Sequence, residues 1–137
     1  MGKFSVHCGD GLEFVRSLPE ASVDAVITDP PCNIGGKFIG RTDQVDEGFQ
    51  FWDKFSDDDA FIAFLRSYVV EFKRVLRPTG SLYMFSSPAF ASRAEEVVRE
   101  HFNVLNHVVW MNPSHGGGRS KKSELRRFWH GRRVFCT

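Results

Sequence analysis

Apolar and polar positions change their period several times along the chain, and each change marks an element. "FSVHC" (Phe4–Cys8) alternates and predicts a short strand, whereas "GLEFVRSL" (Gly11–Leu18) predicts a helix closed by Pro19. "VDAVIT" (Val23–Thr28) is a β-branched run of the kind buried in parallel sheets. A long polar, glycine-bearing stretch follows, from Asp29 to about Phe55. "SDDDAFIAFLRSYVVEFKRVL" then predicts a long helix with Ser56 as N-cap and Asp57, Asp58 and Asp59 at the positive end of its dipole. Its apolar residues Phe61, Phe64, Leu65, Tyr68, Val69, Phe72 and Leu76 recur every three or four positions, a stripe that faces a core. Pro78 and Gly80 are read as its stop. A strand over Ser81–Ser86, an amphipathic helix over Phe90–Phe102 and a strand over Val104–Met111 complete the series.

Strand and helix alternate, which argues for a doubly wound α/β sheet with helices on both faces. No internal repeat is visible and no boundary precedes Pro113, so residues 1–112 are read as one domain and 113–137 as a basic, flexible tail. In such sheets ligands sit beyond the carboxyl ends of the strands, which is where Asp29 follows Thr28.

Composition narrows the class. No apolar run approaches the roughly 18 residues of a membrane span. Cys8, Cys32 and Cys136 lack CxxC spacing and the five histidines do not cluster, so no disulfide framework and no metal site are expected, and the chain is placed in a reducing cytoplasm. The net charge of +1 conceals an asymmetry, because seven of the 18 Lys and Arg lie beyond Asn112 with only Glu124 opposing them. A basic tail on a mildly acidic body suits a polyanionic partner or, more simply, a solvated segment.

The sharpest local feature is "TDPPCN". A carboxylate at a strand end can accept a hydrogen bond from an exocyclic amino group. The diproline has no N–H groups and fixes two φ angles, so the neighbouring carbonyls are held outward as acceptors. Asp29 and the Pro30 carbonyl could thus take both hydrogens of an –NH2 group and aim its lone pair at an electrophile. The plainer alternative is a stiff turn capping a strand.

The surrounding motifs carry a resemblance. "CGDGLEFVRSLPEASVDAVITDPPCNIGG", "EFKRVLRPTGSLYMFSSP" and "HVVWMNPSHGGGRSKKSELRRFW" together resemble the amino-group (N6-adenine or N4-cytosine) DNA methyltransferases. Their order matches the permuted arrangement in which the catalytic half precedes the cofactor half. The resemblance implies a Rossmann-like fold of the S-adenosylmethionine-dependent type, with Asp29 and Pro30 as acceptors of the target amino group and Pro31 keeping the turn rigid. It implies that Asp10, after Gly9, meets the adenine amino group of S-adenosylmethionine, although Asp10 also suits an N-cap for Gly11–Leu18. It places Arg119, Lys121, Lys122, Arg126 and Arg127 in a DNA-contacting loop that holds phosphates without reading sequence. The target base, adenine more readily than cytosine, has to leave the duplex to reach Asp29.

Two departures qualify what the resemblance implies. Cys32 stands where the family has an aromatic residue that stacks on the flipped base, an interaction worth about 1–3 kcal/mol. Phe38, or a residue of Phe49–Trp52, could cover the base instead, and Cys32 is read as a small space-filling residue rather than a catalytic thiolate. The G-x-G cofactor motif and the strands after it are absent, and "HGRRVFCT" does not resemble the family's next strand. The chain therefore reads as the first half of such an enzyme, incomplete through truncation or a frameshift, with a second chain as one source of the cofactor half. An inactive or DNA-binding remnant and a methyltransferase acting on RNA or protein remain the alternative functions.

Overall fold

The computed structural model describes residues 3–33, 53–110 and 132–136. Helix α1 (Gly11–Ser17) leads into strand β1 (Val23–Thr28), and helix α2 (Asp58–Val75) passes directly into strand β2 (Leu76–Ser86). Helix α3 (Ala91–Arg99) and strands β3 (Asn106–Trp110) and β4 (Arg132–Cys136) follow. The sheet order is β1-β2-β4-β3, with β1 and β2 parallel and β4 antiparallel to both β2 and β3. The fold is α/β with a parallel pair, as the alternation predicts.

The α2 stripe builds the core. Phe61, Leu65, Val69 and Phe72 are buried together with Leu82 and Met84 of β2 and Ala91, Ala94, Val97 and Val98 of α3. Val15 of α1 and Val26 of β1 pack on the same cluster, so the three helices share one face of the sheet. On the other face Ile27 and its β2 partner Tyr83 are exposed, Ile27 to 74%. Helices on both faces are thus realised on one face among the described residues.

Polar contacts tie the helices down. The Asp57 carboxylate caps α2 by accepting from the Ala60 N–H at 2.7 Å, and that bond, with a second from the Ser56 hydroxyl, holds its pKa below the ordinary carboxylate value. Ser56 is therefore not the N-cap as expected; its neighbour is shifted one place into the cap and Ser56 supports it. The Arg74 guanidinium closes the other end of α1, donating to the carbonyls of Leu18 (2.9 Å), Val15 (3.1 Å) and Arg16 (3.2 Å) while paired with Glu71 at 2.7 Å. Those carbonyls lie at the end of the helix, where the ladder of intrahelical bonds runs out, so Arg74 both supplies donors and fastens α1 to α2.

Three further expectations are corrected. Phe4–Cys8 is not a strand; Phe4 and Val6 are 92% and 86% exposed. Alternation alone cannot make a strand without a neighbour to take its backbone groups, and the segment is instead held by His7 against the Phe14 ring at 4.6 Å. The long helix stops at Val75, not at Pro78, and β2 runs through both Pro78 and Gly80. The register with β1 jumps from Val23↔Leu76 to Ala25↔Ser81, so residues 77–80 bulge out and Pro78 is spared the ladder bond it cannot make. Gly80 lies in that bulge, where an added Cβ would meet the Asp24 carbonyl at 3.0 Å. Finally, Arg132–Cys136, assigned to the basic tail, forms β4 and inserts between β2 and β3. No helix among the described residues is long and apolar enough to cross a membrane.

Phe61 is 2% exposed and meets Phe90 edge-on at 4.8 Å and Phe55 at 5.1 Å. Truncation in Phe61→Ala is expected to lower stability by about 3–5 kcal/mol. An unchanged denaturant midpoint would show that this ring does not anchor the core.

Candidate active site

Parallel pairing of β1 and β2 brings Thr28 level with Met84, so the residues after both strands emerge at one edge of the sheet. Asp29 lies there exposed, followed by the half-buried Pro30, Pro31, Cys32 and Asn33. Ser87, just past β2, donates its hydroxyl to the Cys32 carbonyl at 3.4 Å. The Cys32 thiol donates to the Pro30 carbonyl at 3.6 Å. A carbonyl oxygen has two lone pairs, so Pro30 can accept this weak bond and one from a ligand N–H as well. Asn33 has φ 52°, a left-handed conformation that asparagine tolerates better than most residues.

Asp10 sits at the head of α1, where its Oδ1 accepts from the Glu13 N–H at 2.9 Å. The N-cap role is therefore realised, and a second carboxylate oxygen remains for another donor. At Gly9 no atom lies within 4 Å of where a Cβ would be, so its backbone is open to approach. Between α1, β1 and α2 runs an apolar cleft of about 360 Å³, lined among others by Gly11, Val26, Thr28 and Tyr68. Gly11 adjoins Asp10 and Thr28 adjoins Asp29, so the cleft joins the two candidate segments.

Tyr68, which sequence reasoning assigned to the core alone, also lines this cleft. Its hydroxyl oxygen lies 3.1 Å from the Cβ position of Gly11. Burial, then the negative charge of Asp10, push the phenol pKa above 10.0, with a bond from the Leu12 backbone acting the other way. Its position in an apolar stripe carried no signal of this role. Among the described residues no group of three or more His, Cys, Asp or Glu is arranged to hold a metal ion. Arg119, Lys121, Lys122, Arg126 and Arg127, like Phe38 and Phe49–Trp52, lie outside the described residues; the five basic positions belong to the connection from β3 to β4.

A family model described as DNA methylase, covering the N6 and N4 enzymes, matches residues 23–129. The chain belongs to this DNA methylase family. It is 32% identical over 114 residues to the DNA adenine methyltransferase YhdJ of Escherichia coli (strain K12), covering 83% of this chain and 35% of that protein. It is 28% identical over 136 residues to the type II methyltransferase M.HinfI of Haemophilus influenzae, covering 88% and 36% respectively. The chain thus spans about a third of the length of these curated relatives. Its fold is similar to that of TTHA0409 from Thermus thermophilus, assigned as a DNA modification methylase, with a TM-score of 0.61 at 23% identity over 93% of this chain and 49% of that one. A second structure of TTHA0409, complexed with S-adenosyl-L-methionine, gives a TM-score of 0.59, again at 23% identity, over 93% and 52%.

The electrostatic link between Asp10 and Tyr68 has a direct test. The chain has two tyrosines, so Tyr83→Phe leaves Tyr68 as the single titrating phenol. Adding Asp10→Asn keeps a capping oxygen but removes the charge, and the absorbance titration of Tyr68 is expected to move to lower pH while staying above 10.0, since burial persists. An unmoved titration would mean that Asp10 does not face the phenol.

Proposed function

We propose that this methylase chain is the catalytic part of a DNA amino-methyltransferase that modifies a flipped base, adenine at N6 in the leading reading. The observation that carries the proposal is the position of Asp29-Pro30-Pro31 at the carboxyl edge of β1, beside the β2 end and the cleft. The Asp29 carboxylate and the Pro30 carbonyl each accept one N–H of the target amino group. Taking both hydrogens orients the nitrogen lone pair and makes it more electron-rich, and alignment of this kind lowers a barrier by several kcal/mol. The carboxylate is also placed to receive the proton that the amino group gives up. Gly9 and Asp10 would hold the adenine end of S-adenosylmethionine, the open backbone of one and the carboxylate of the other fitting an amino-bearing ring. Bound there, that cofactor supplies an electrophilic methyl group.

Arg119, Lys121, Lys122, Arg126 and Arg127 are proposed to hold DNA phosphates. A further segment, supplied by a second chain or by more of the same one, is proposed to complete the cofactor site. The share of the relatives that the chain spans supports this, as do the position of β1 at the sheet edge and the exposure of Ile27. The small Cys32 favours a second reading, in which a fragment binds DNA without transferring a methyl group.

Purified chain, labelled S-adenosylmethionine and unmethylated DNA separate the two. Label in N6-methyladenine that Asp29→Ala abolishes, while DNA binding stays within about threefold, would carry the first reading and show that this chain completes the cofactor site by itself. Label retained in Asp29→Ala would remove Asp29 from the chemistry, and binding without label in the parent chain would mean an inactive fragment or one half of a split enzyme. If no other residue covers the base, Cys32→Tyr should raise kcat/KM about tenfold, the equivalent of a stack near the lower end of its range.

A further inference from the structure

Asp53 falls within the polar stretch and nothing in its sequence context distinguishes it. In the fold it is one of three buried polar or charged residues among those described, at 5% exposed. Its carboxylate accepts the backbone N–H of Asn33 at 2.7 Å, across twenty positions of sequence. A charge-assisted bond of that length, away from water, is among the stronger contacts a loop can have. We infer that Asp53 is a positioning residue for the acceptor pair Asp29 and Pro30, an assignment that rests on the function proposed above.

The need for such a latch follows from what proline leaves unfixed. The two rings set φ at Pro30 and Pro31, and Pro31 also narrows ψ at Pro30. Neither constrains ψ at Pro31 or the backbone of Cys32. Held only by β1, the stiff Asp-Pro-Pro unit would swing from Thr28 as a lever. Asp53 fixes the far end by securing Asn33 in its left-handed conformation. The anchorage is shared: the Asn33 side-chain amide donates to Asp58 at 3.4 Å, and Arg93 of α3 donates to Asp58 at 3.3 Å and to Asp59 at 2.7 Å. Ser87 holds the Cys32 carbonyl from the other side. Asp53 is the buried carboxylate of this set, so it is the one that water does not readily replace.

Two variants and two measurements test the assignment. Asp53→Asn keeps an oxygen that can accept from Asn33, whereas Asp53→Leu keeps the volume and removes the acceptor. Hydrogen exchange at the Asn33 amide is expected to be slow in the parent chain and in Asp53→Asn, and about 100-fold faster in Asp53→Leu. Methyl transfer by the same preparations should show kcat lowered about 10- to 100-fold in Asp53→Leu, KM for S-adenosylmethionine unchanged, and near-complete rescue by Asp53→Asn. An Asn33 amide still protected in Asp53→Leu overturns the latch. So does kcat unchanged in that variant, or lowered equally in both. Should Asp53→Leu fail to fold, Asp53→Ser, whose shorter side chain cannot span the same gap, takes its place with the same expectations. A parent chain that transfers no methyl group without its further segment leaves the proposed function to the experiment above, and the exchange rates then decide the latch by themselves.

Discussion

The parallel pairing of β1 with β2 is the constraint on which the arrangement of the site depends. Parallel neighbours require a crossover, and here α2 supplies it, returning the chain along the sheet before β2 begins. A crossover helix starts near the carboxyl end of the first strand. The same connection that carries Asp29 away from β1 therefore brings Asp53, Asp57 and Asp58 back to that edge. The carboxylates around the Pro-Pro turn are there because topology returns them, not because they are neighbours in sequence.

Packing then determines how firmly that edge is held. The α2 stripe buries Phe61, Leu65, Val69 and Phe72 against Leu82, Met84 and the small face of α3. With α2 fixed on the sheet, Arg74 fastens α1 to its side and Arg66 reaches Glu100 beyond α3 through two bonds of 2.8 Å. The exposed pairs contribute modestly to stability, yet they set orientation: α1 carries Gly9 and Asp10 at its head, and α3 carries Arg93 toward Asp58. The acid-side behaviour has the corresponding sign. Carboxyl groups held below their ordinary values, Asp57 by its cap bonds and Glu95 chiefly by Arg99, stabilise the fold above 3.8 and 4.5 respectively and lose that contribution as pH falls through their lowered values.

The opposite face and outer edge of the sheet present a different surface. Ile27 of β1 and Val108 of β3 are more than half exposed on that face, and among the described residues β1 has a partner on one side in the sheet order. A parallel strand is ordinarily buried on both faces. The apolar β1 run is composed for an interior, and the described residues enclose it on one side.

Local pattern was enough for elements whose neighbours in sequence are their main determinants. Val23–Thr28 is β1 to the residue, the α2 stripe faces the core as its spacing predicts, and Asp10 caps α1 because a cap is a bond to a residue three positions on. The place of Asp29, Pro30 and Pro31 directly after β1 was legible together with that strand. Elements whose stability comes from distant partners were not. Phe4–Cys8 alternates like a strand yet pairs with no strand among the described residues, while Arg132–Cys136, with its paired arginines, becomes one because β2 and β3 present backbone groups on either side of it. The place of Tyr68 beside Asp10 and the bond from Asn33 to Asp53 likewise exist through tertiary structure alone. Periodicity records which side of an element avoids water, whereas hydrogen bonds across twenty or fifty residues depend on where the chain returns, and that was decided by the parallel crossover.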